Sequence, residues 1–114
     1  MRELKNRAEE LSKAVPIFAA LGDPIRLAIV ARLGKDGPLP TIALKQGAGV
    51  TRQGLTKHLH LLEDAGLVSS DRQGRDRQWR LQAQRLAAVR DYLDRISAQW
   101  DLRLEQLRAF VEDA

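Results

Sequence analysis

Four arginines, Arg72, Arg75, Arg77 and Arg80, fall within nine residues, and only Asp76 opposes them inside that stretch. A second polar set, Thr51, Arg52, Gln53, Thr56 and Lys57, lies upstream of them. Such side chains hydrogen-bond phosphate oxygens and base edges, so their clustering points to a polyanionic partner. Other chemistry is poorly supplied. There is no cysteine, which excludes disulfides, thiolate metal sites and a thiol nucleophile. His58 and His60 are the only histidines. Two positions apart on a helix they point about 200° away from each other, so they cannot share a metal within one chain. A Ser/His/Asp set would have to combine Ser12, Ser69, Ser70 or Ser97 with one of those histidines, and no spacing favours it. Gly47-Ala48-Gly49 lacks the strand and lysine of a phosphate-binding loop. No catalytic residue, metal or cofactor is expected.

The polar set needs a helix to present it. Thr51 is a helix cap, and the segment from about Arg52 to Ala65 carries helical spacing before Gly66 stops it. At about 100° per residue, Leu55, Leu59 and Leu62 share one side. Gln53, Lys57, His60 and Asp64 lie opposite, with Thr56 beside them. His58 flanks the apolar side and reads as a structural, hydrogen-bonded residue, whereas His60 faces out. The arginines need a hairpin. Leu67-Val68 and Arg77 to Leu81 have strand character around the turn signal Arg72-Gln73-Gly74-Arg75-Asp76, giving two short strands with Trp79 turned to the core. Each feature has a plainer explanation: a solvated helix face, or a charged edge strand that blocks aggregation.

The remaining elements build the support. Leu4, Ala8, Leu11 and Val15 make one apolar stripe over residues 2–15, and Pro16 kinks that helix or starts a new one. Asp23-Pro24 opens a nearly all-round apolar helix that Gly34 ends. Gly37 to Pro40 is a loop, and Thr41 caps a short helix that Gly47 and Gly49 break. Residues 84–112 read as one helix of about 43 Å at about 1.5 Å per residue. A compact domain of this length has a radius of gyration of only about 13 Å. The stripe on that helix, Leu86, Val89, Leu93, Ile96, Trp100, Leu104 and Leu107, therefore calls for a second copy, with Leu4 and Leu11 joining the pairing face. The competing arrangement packs the stripe wholly on the first helix of the same chain.

Size and charge set the outer bounds. The 114 residues fit one domain, with 1–21 and 84–112 pairing and 23–81 forming the binding core and wing. The net charge of +4 suits a polyanion without demanding one, and the surplus of Lys and Arg lies in the first two-thirds of the chain. The longest apolar run, Ala14 to Leu21, is too short to span a bilayer, and the N-terminus lacks a signal sequence, so the cytoplasm is the expected compartment.

The stretch from Thr51 to Val68, TRQGLTKHLHLLEDAGLV, closely resembles the recognition segment of ArsR-like winged-helix repressors. Ala20 to Arg26 is similar to that family's opening motif, and Arg77 to Leu81 to its second wing strand. The resemblance spans roughly residues 15 to 81. It implies a dimeric bacterial or archaeal regulator released from DNA by an inducing signal, with contacts on Arg52, Gln53, Thr56 and Lys57. It also implies a dimer built from the first and last helices. The usual metal-sensing cysteines and histidines are missing: the helix before the recognition segment reads Thr41-Ile42-Ala43-Leu44-Lys45, and the last helix has no histidine. The chain looks more like the subgroup without a metal site, whose tail carries a Trp-Asp-x-x-Leu pattern, here Trp100 to Leu104.

The expectation is a mainly α winged helix-turn-helix protein with a two-stranded wing and a long C-terminal dimerisation helix. Its function would be that of a homodimeric repressor on an inverted-repeat operator in double-stranded DNA. Thr51, Arg52, Gln53, Thr56, Lys57 and His60 would enter the duplex, and Arg72, Arg75 and Arg77 would hold flanking DNA. Two alternatives stand beside it: a winged-helix module that binds protein, and a regulator with a small-molecule pocket at the dimer interface near Tyr92 and Trp100. No inducer follows from the sequence.

Overall fold

The computed structural model describes residues 2–113. Helix α1 (Arg2–Leu11) stops where the Ser12 hydroxyl turns back to the Glu9 carbonyl at 2.7 Å. Helix α2 (Val15–Leu21) then starts afresh, with Pro16 in its first turn, where a missing amide hydrogen costs nothing. Asp23 caps helix α3 (Pro24–Asp36), its Oδ2 accepting from the amides of Ile25 at 2.9 Å and Arg26 at 3.1 Å.

Two readings of α3 are corrected. The helix runs through Gly34, which sits exposed inside it, and ends at Gly37, whose φ of 78° lets its amide return to the Leu33 carbonyl. A glycine in a helix interior costs about 1 kcal/mol relative to alanine, too little to end a helix whose next turn is well capped. Nor is α3 buried all round. Ile29, Val30 and Leu33 enter the core, whereas Leu27 is left exposed, because α3 is covered on one side only.

Strand β1 (Leu39–Pro40) corrects the wing. The sheet has three antiparallel strands in the order β1-β3-β2, where β2 is Val68–Gln73 and β3 is Asp76–Leu81. Leu39 pairs with Trp79 and Pro40 with Gln78. A strand of two residues, one a proline, carries no alternation from which it could be read. The hairpin closes on Gln73 and Asp76, leaving Gly74-Arg75 as a two-residue turn. Gly74 supplies the positive φ, 63°, that the first central position of a type II′ turn requires.

Helices α4 (Thr41–Lys45) and α5 (Arg52–Asp64) are joined through Gly47 and Gly49. Thr41 is the first residue of α4 rather than its cap, and it is buried. Leu55, Leu59 and Leu62 of α5 are fully buried, together with Leu67 and Trp79, which is 2% exposed. They share a core with Ile17 and Ala20 of α2, Leu44 of α4 and the α3 residues.

Helix α6 (Ala83–Asp113) is 31 residues long, about 46 Å at about 1.5 Å per residue. Its first half docks: Val89 is buried, at 6%, Leu86 packs on the core, and Tyr92 meets Phe18 of α2 edge-on with ring centres 6.0 Å apart. Val89 is therefore taken up by the core of its own chain rather than left on a pairing face. The second half of the helix projects, so the molecule measures 67 × 33 × 22 Å and its radius of gyration is 18.9 Å. Among the described residues, no helix is long and apolar enough to cross a membrane.

Candidate nucleic-acid interface

Helix α5 presents its polar ridge on the side away from the buried leucines. Arg52, Gln53, Lys57 and His60 are exposed, and Thr56 is half-buried. Two hydroxyls of the expected set are committed to the helix itself. Thr51 Oγ1 accepts from the Gly54 amide at 3.0 Å, which caps α5, and Thr56 Oγ1 donates to the Arg52 carbonyl at 2.9 Å. Thr51 thus positions the helix, and Thr56 keeps acceptor capacity only. Arg52, Gln53 and Lys57 are the long, outward side chains best placed to reach a groove.

The orientation of α5 is set from behind. Arg26 of α3 donates from Nε to the Ala20 carbonyl at 2.5 Å and from Nη1 to His58 Nδ1 at 3.1 Å. Since guanidinium has no acceptor, this bond needs Nδ1 of His58 as its acceptor. His58 is therefore the hydrogen-bonded structural residue its place on the helix suggests. Asp23 Oδ2 lies 3.8 Å from the same nitrogen. The Asp23 carboxyl is held below its ordinary value, first by the Arg26 amide against the opposing effect of burial, with help from the Ile25 amide, the charge of Arg26 and, when its ring is protonated, that of His58.

The wing joins α5 along its other edge. Ser70 donates to Glu63 Oε2 at 2.9 Å and accepts from Arg77 Nη1 at 3.0 Å. His60 packs edge-on to Trp79 with ring centres 6.0 Å apart, and its Nδ1 lies 3.4 Å from Glu63. The outward His60 thus sits at the junction of helix and wing. The four arginines separate. Arg80 is paired with Asp71. Arg72 and Arg77 stand directly opposite each other across the hairpin, and Arg75 is exposed at the turn. Like charges directly opposite on a sheet repel, so the Arg72–Arg77 pair is a place where a bridging anion gains energy.

Several residues of this frame escaped the sequence reading. Glu63 gave no signal, and Arg26 and Ser70 were visible only as part of a motif and as a serine, because the partners that define their roles here are set by the fold. Asp76 was visible only as a charge opposing the arginines; in the structure it reaches α4, accepting from the Ile42 amide at 3.2 Å. A groove of about 1010 Å³ runs between α1 and α6; its lining includes Leu4, Leu11, Tyr92 and Ile96 and does not include Trp100. Among the described residues, no group of three or more His, Cys, Asp or Glu is placed to hold a metal ion.

A bracing helix, a glycine turn, a second helix with its polar ridge outward and an arginine-bearing hairpin together define a winged helix-turn-helix DNA-binding protein. A model of a helix-turn-helix domain family matches residues 21–71. The chain is 46% identical over 67 residues to the uncharacterized HTH-type transcriptional regulator YuzN of Bacillus subtilis, covering 54% of this chain and 73% of that protein. It is 41% identical over 78 residues to the HTH-type transcriptional regulator Rv2034 of Mycobacterium tuberculosis, covering 68% of this chain and 72% of that one. A solved ArsR-like transcriptional regulator from Rhodococcus sp. RHA1 superposes with a TM-score of 0.70 at 32% identity, covering 90% of this chain and 95% of that structure. The chain belongs to the ArsR family of winged helix-turn-helix transcriptional regulators, and it is a DNA-binding regulator.

Proposed function

We propose that the protein is a homodimeric repressor that reads an inverted-repeat operator. The observation that carries this reading is the pairing of an exposed Arg52-Gln53-Lys57 ridge with a wing whose Arg72 and Arg77 are held face to face. In this reading Arg52, Gln53, Thr56, Lys57 and His60 meet the major groove, and Arg72, Arg75 and Arg77 hold the flanking backbone. The projecting part of α6 argues for two copies. Leu93, Trp100, Leu104 and Leu107 lie exposed, with Ile96 half-buried among them, and Leu4 of α1 is exposed as well. A second copy covers that stripe and sets two α5 helices one duplex turn apart.

The test is a pair of variants on one selected duplex and one scrambled duplex. Gln53→Ala relaxes base preference. Arg75→Ala weakens binding to both duplexes and lowers the salt slope by about one unit. Unchanged affinity in both variants at fixed salt removes the assignment of this face. Repression is read separately, as higher reporter expression from the protein's own upstream region when the protein is deleted.

A further inference from the structure

The free end of the wing is fastened to the helix-turn-helix by one carboxylate. Asp76 flanks the hairpin turn, yet its Oδ2 accepts from the Ile42 amide in the first turn of α4 at 3.2 Å, 34 residues away in the chain. Its Oδ1 accepts from the Arg77 amide at 2.7 Å. Helix α4 has no local cap, since Pro40 before it offers no side-chain acceptor. Thr41 in turn accepts from Trp79 Nε1 at 2.9 Å, and both residues are buried. The core indole and the wing-tip carboxylate thus hold adjacent residues, Thr41 and Ile42, at the start of the same helix. Arg52, at the start of α5, adds an attractive charge from the recognition helix itself. Burial acts to raise the Asp76 carboxyl, but the neighbouring Thr41 hydroxyl, the Arg77 and Ile42 amides and the Arg52 charge leave it below its ordinary value. It is ionised at neutral pH.

An anion placed among Arg52, Arg72, Arg75 and Arg77 weakens attraction to any duplex. General affinity would be better served by a neutral residue, so the position calls for a compensating role. We propose that Asp76 is a positioning residue that locks the wing to α4 and to the start of α5, so that helix and wing engage a duplex in one geometry and sequence discrimination is gained at the expense of general affinity. This rests on the reading that α5 and the wing bind the same duplex.

The experiment measures anisotropy at fixed salt with two labelled probes: a duplex selected by the wild-type protein from a randomised pool, and a scrambled duplex of equal length and composition. Asp76→Ala is expected to lose about tenfold on the selected duplex, the size of one charged hydrogen-bond set. On the scrambled duplex it holds its affinity or gains about twofold, because a repelling charge is gone. Asp76→Asn keeps an acceptor for the Ile42 amide without the charge. It recovers most of the discrimination while keeping the gain on the scrambled probe. Equal gains on both probes make Asp76 a simple repelling charge and overturn the proposal. Equal losses on both, with a lowered melting temperature, make it a folding residue and overturn it too, as does an Asn variant that behaves like Ala. A wild-type protein that fails to discriminate overturns the underlying reading along with this one. A wild-type protein and an Asp76→Ala variant that discriminate equally overturn this one alone.

Discussion

Leu59 and Trp100 are both large apolar side chains on long helices, yet Leu59 is fully buried and Trp100 is 65% exposed. Around Leu59, the helix-turn-helix and wing are complete within one chain: caps are filled, the arginine behind α5 is bonded, and no buried side-chain polar atom among the described residues lacks a partner. Around Trp100, helix α6 carries its apolar stripe into solvent. The winged core thus satisfies its own side chains, whereas the tail leaves its apolar stripe uncovered. What the comparison teaches is that the exposed polar ridge and wing arginines sit on the part whose core is closed within one chain, and the uncovered apolar surface sits on the part whose core is not.

The comparison breaks most visibly at the tail. Trp100→Glu combined with Leu104→Glu should convert a dimer to a monomer by sedimentation, and affinity for a duplex with two half-sites should fall by about a hundredfold or more as bivalency is lost. The far-ultraviolet circular dichroism of the winged core should persist. A dimer that survives both charges would place the pairing face elsewhere. The winged core is tested next by Gly66→Ala. Gly66 has φ of 78°, and an added Cβ would lie 3.0 Å from Arg85 Nε, so the variant should lose about 1–3 kcal/mol in urea unfolding. Thr51→Ala removes the α5 cap and should cost about 1 kcal/mol, with Thr51→Ser restoring most of it.

The smallest effect concerns acid. Asp23 has its folded pKa lowered, so its contribution is present above the unfolded value, near 3.8, and is lost as pH falls through the folded value. Asp23→Asn keeps the capping oxygen but cannot titrate, so the wild-type advantage should shrink across that window and vanish below it. Denaturant midpoints against pH read this directly, and the tail variant should leave that acid limb unchanged.

What could be read from the residues follows the range of the forces involved. The buried side of α5 was legible because Leu55, Leu59 and Leu62 repeat at helical spacing, and the hairpin because Gly74 punctuates it. The α3 cap was legible in Asp23-Pro24. Strand β1 was not, since pairing of Leu39 with Trp79 is decided by tertiary contact rather than local preference. The end of α3 was misread because glycine is a weak local signal beside the packing that carries the helix to Asp36. At the candidate interface, residue types singled out Arg52, Gln53 and Lys57, which the structure leaves exposed. They could not separate Arg80, which is paired with Asp71, from the arginines left facing outward. Nor could they show that Thr51 and Thr56 spend their hydroxyls on the backbone.

The shortness of β1 has a consequence for behaviour at high concentration. A three-stranded sheet with a long open border invites strangers to add strands and grow fibrils. On one side the outermost strand, β1, is two residues long and one of them is Pro40, so an incoming chain finds at most the Leu39 amide there; the opposite edge, β2, carries the charged Asp71 and Arg72. Each edge is thus blunted in its own way against copies pairing edge to edge, one by brevity and proline, the other by charge.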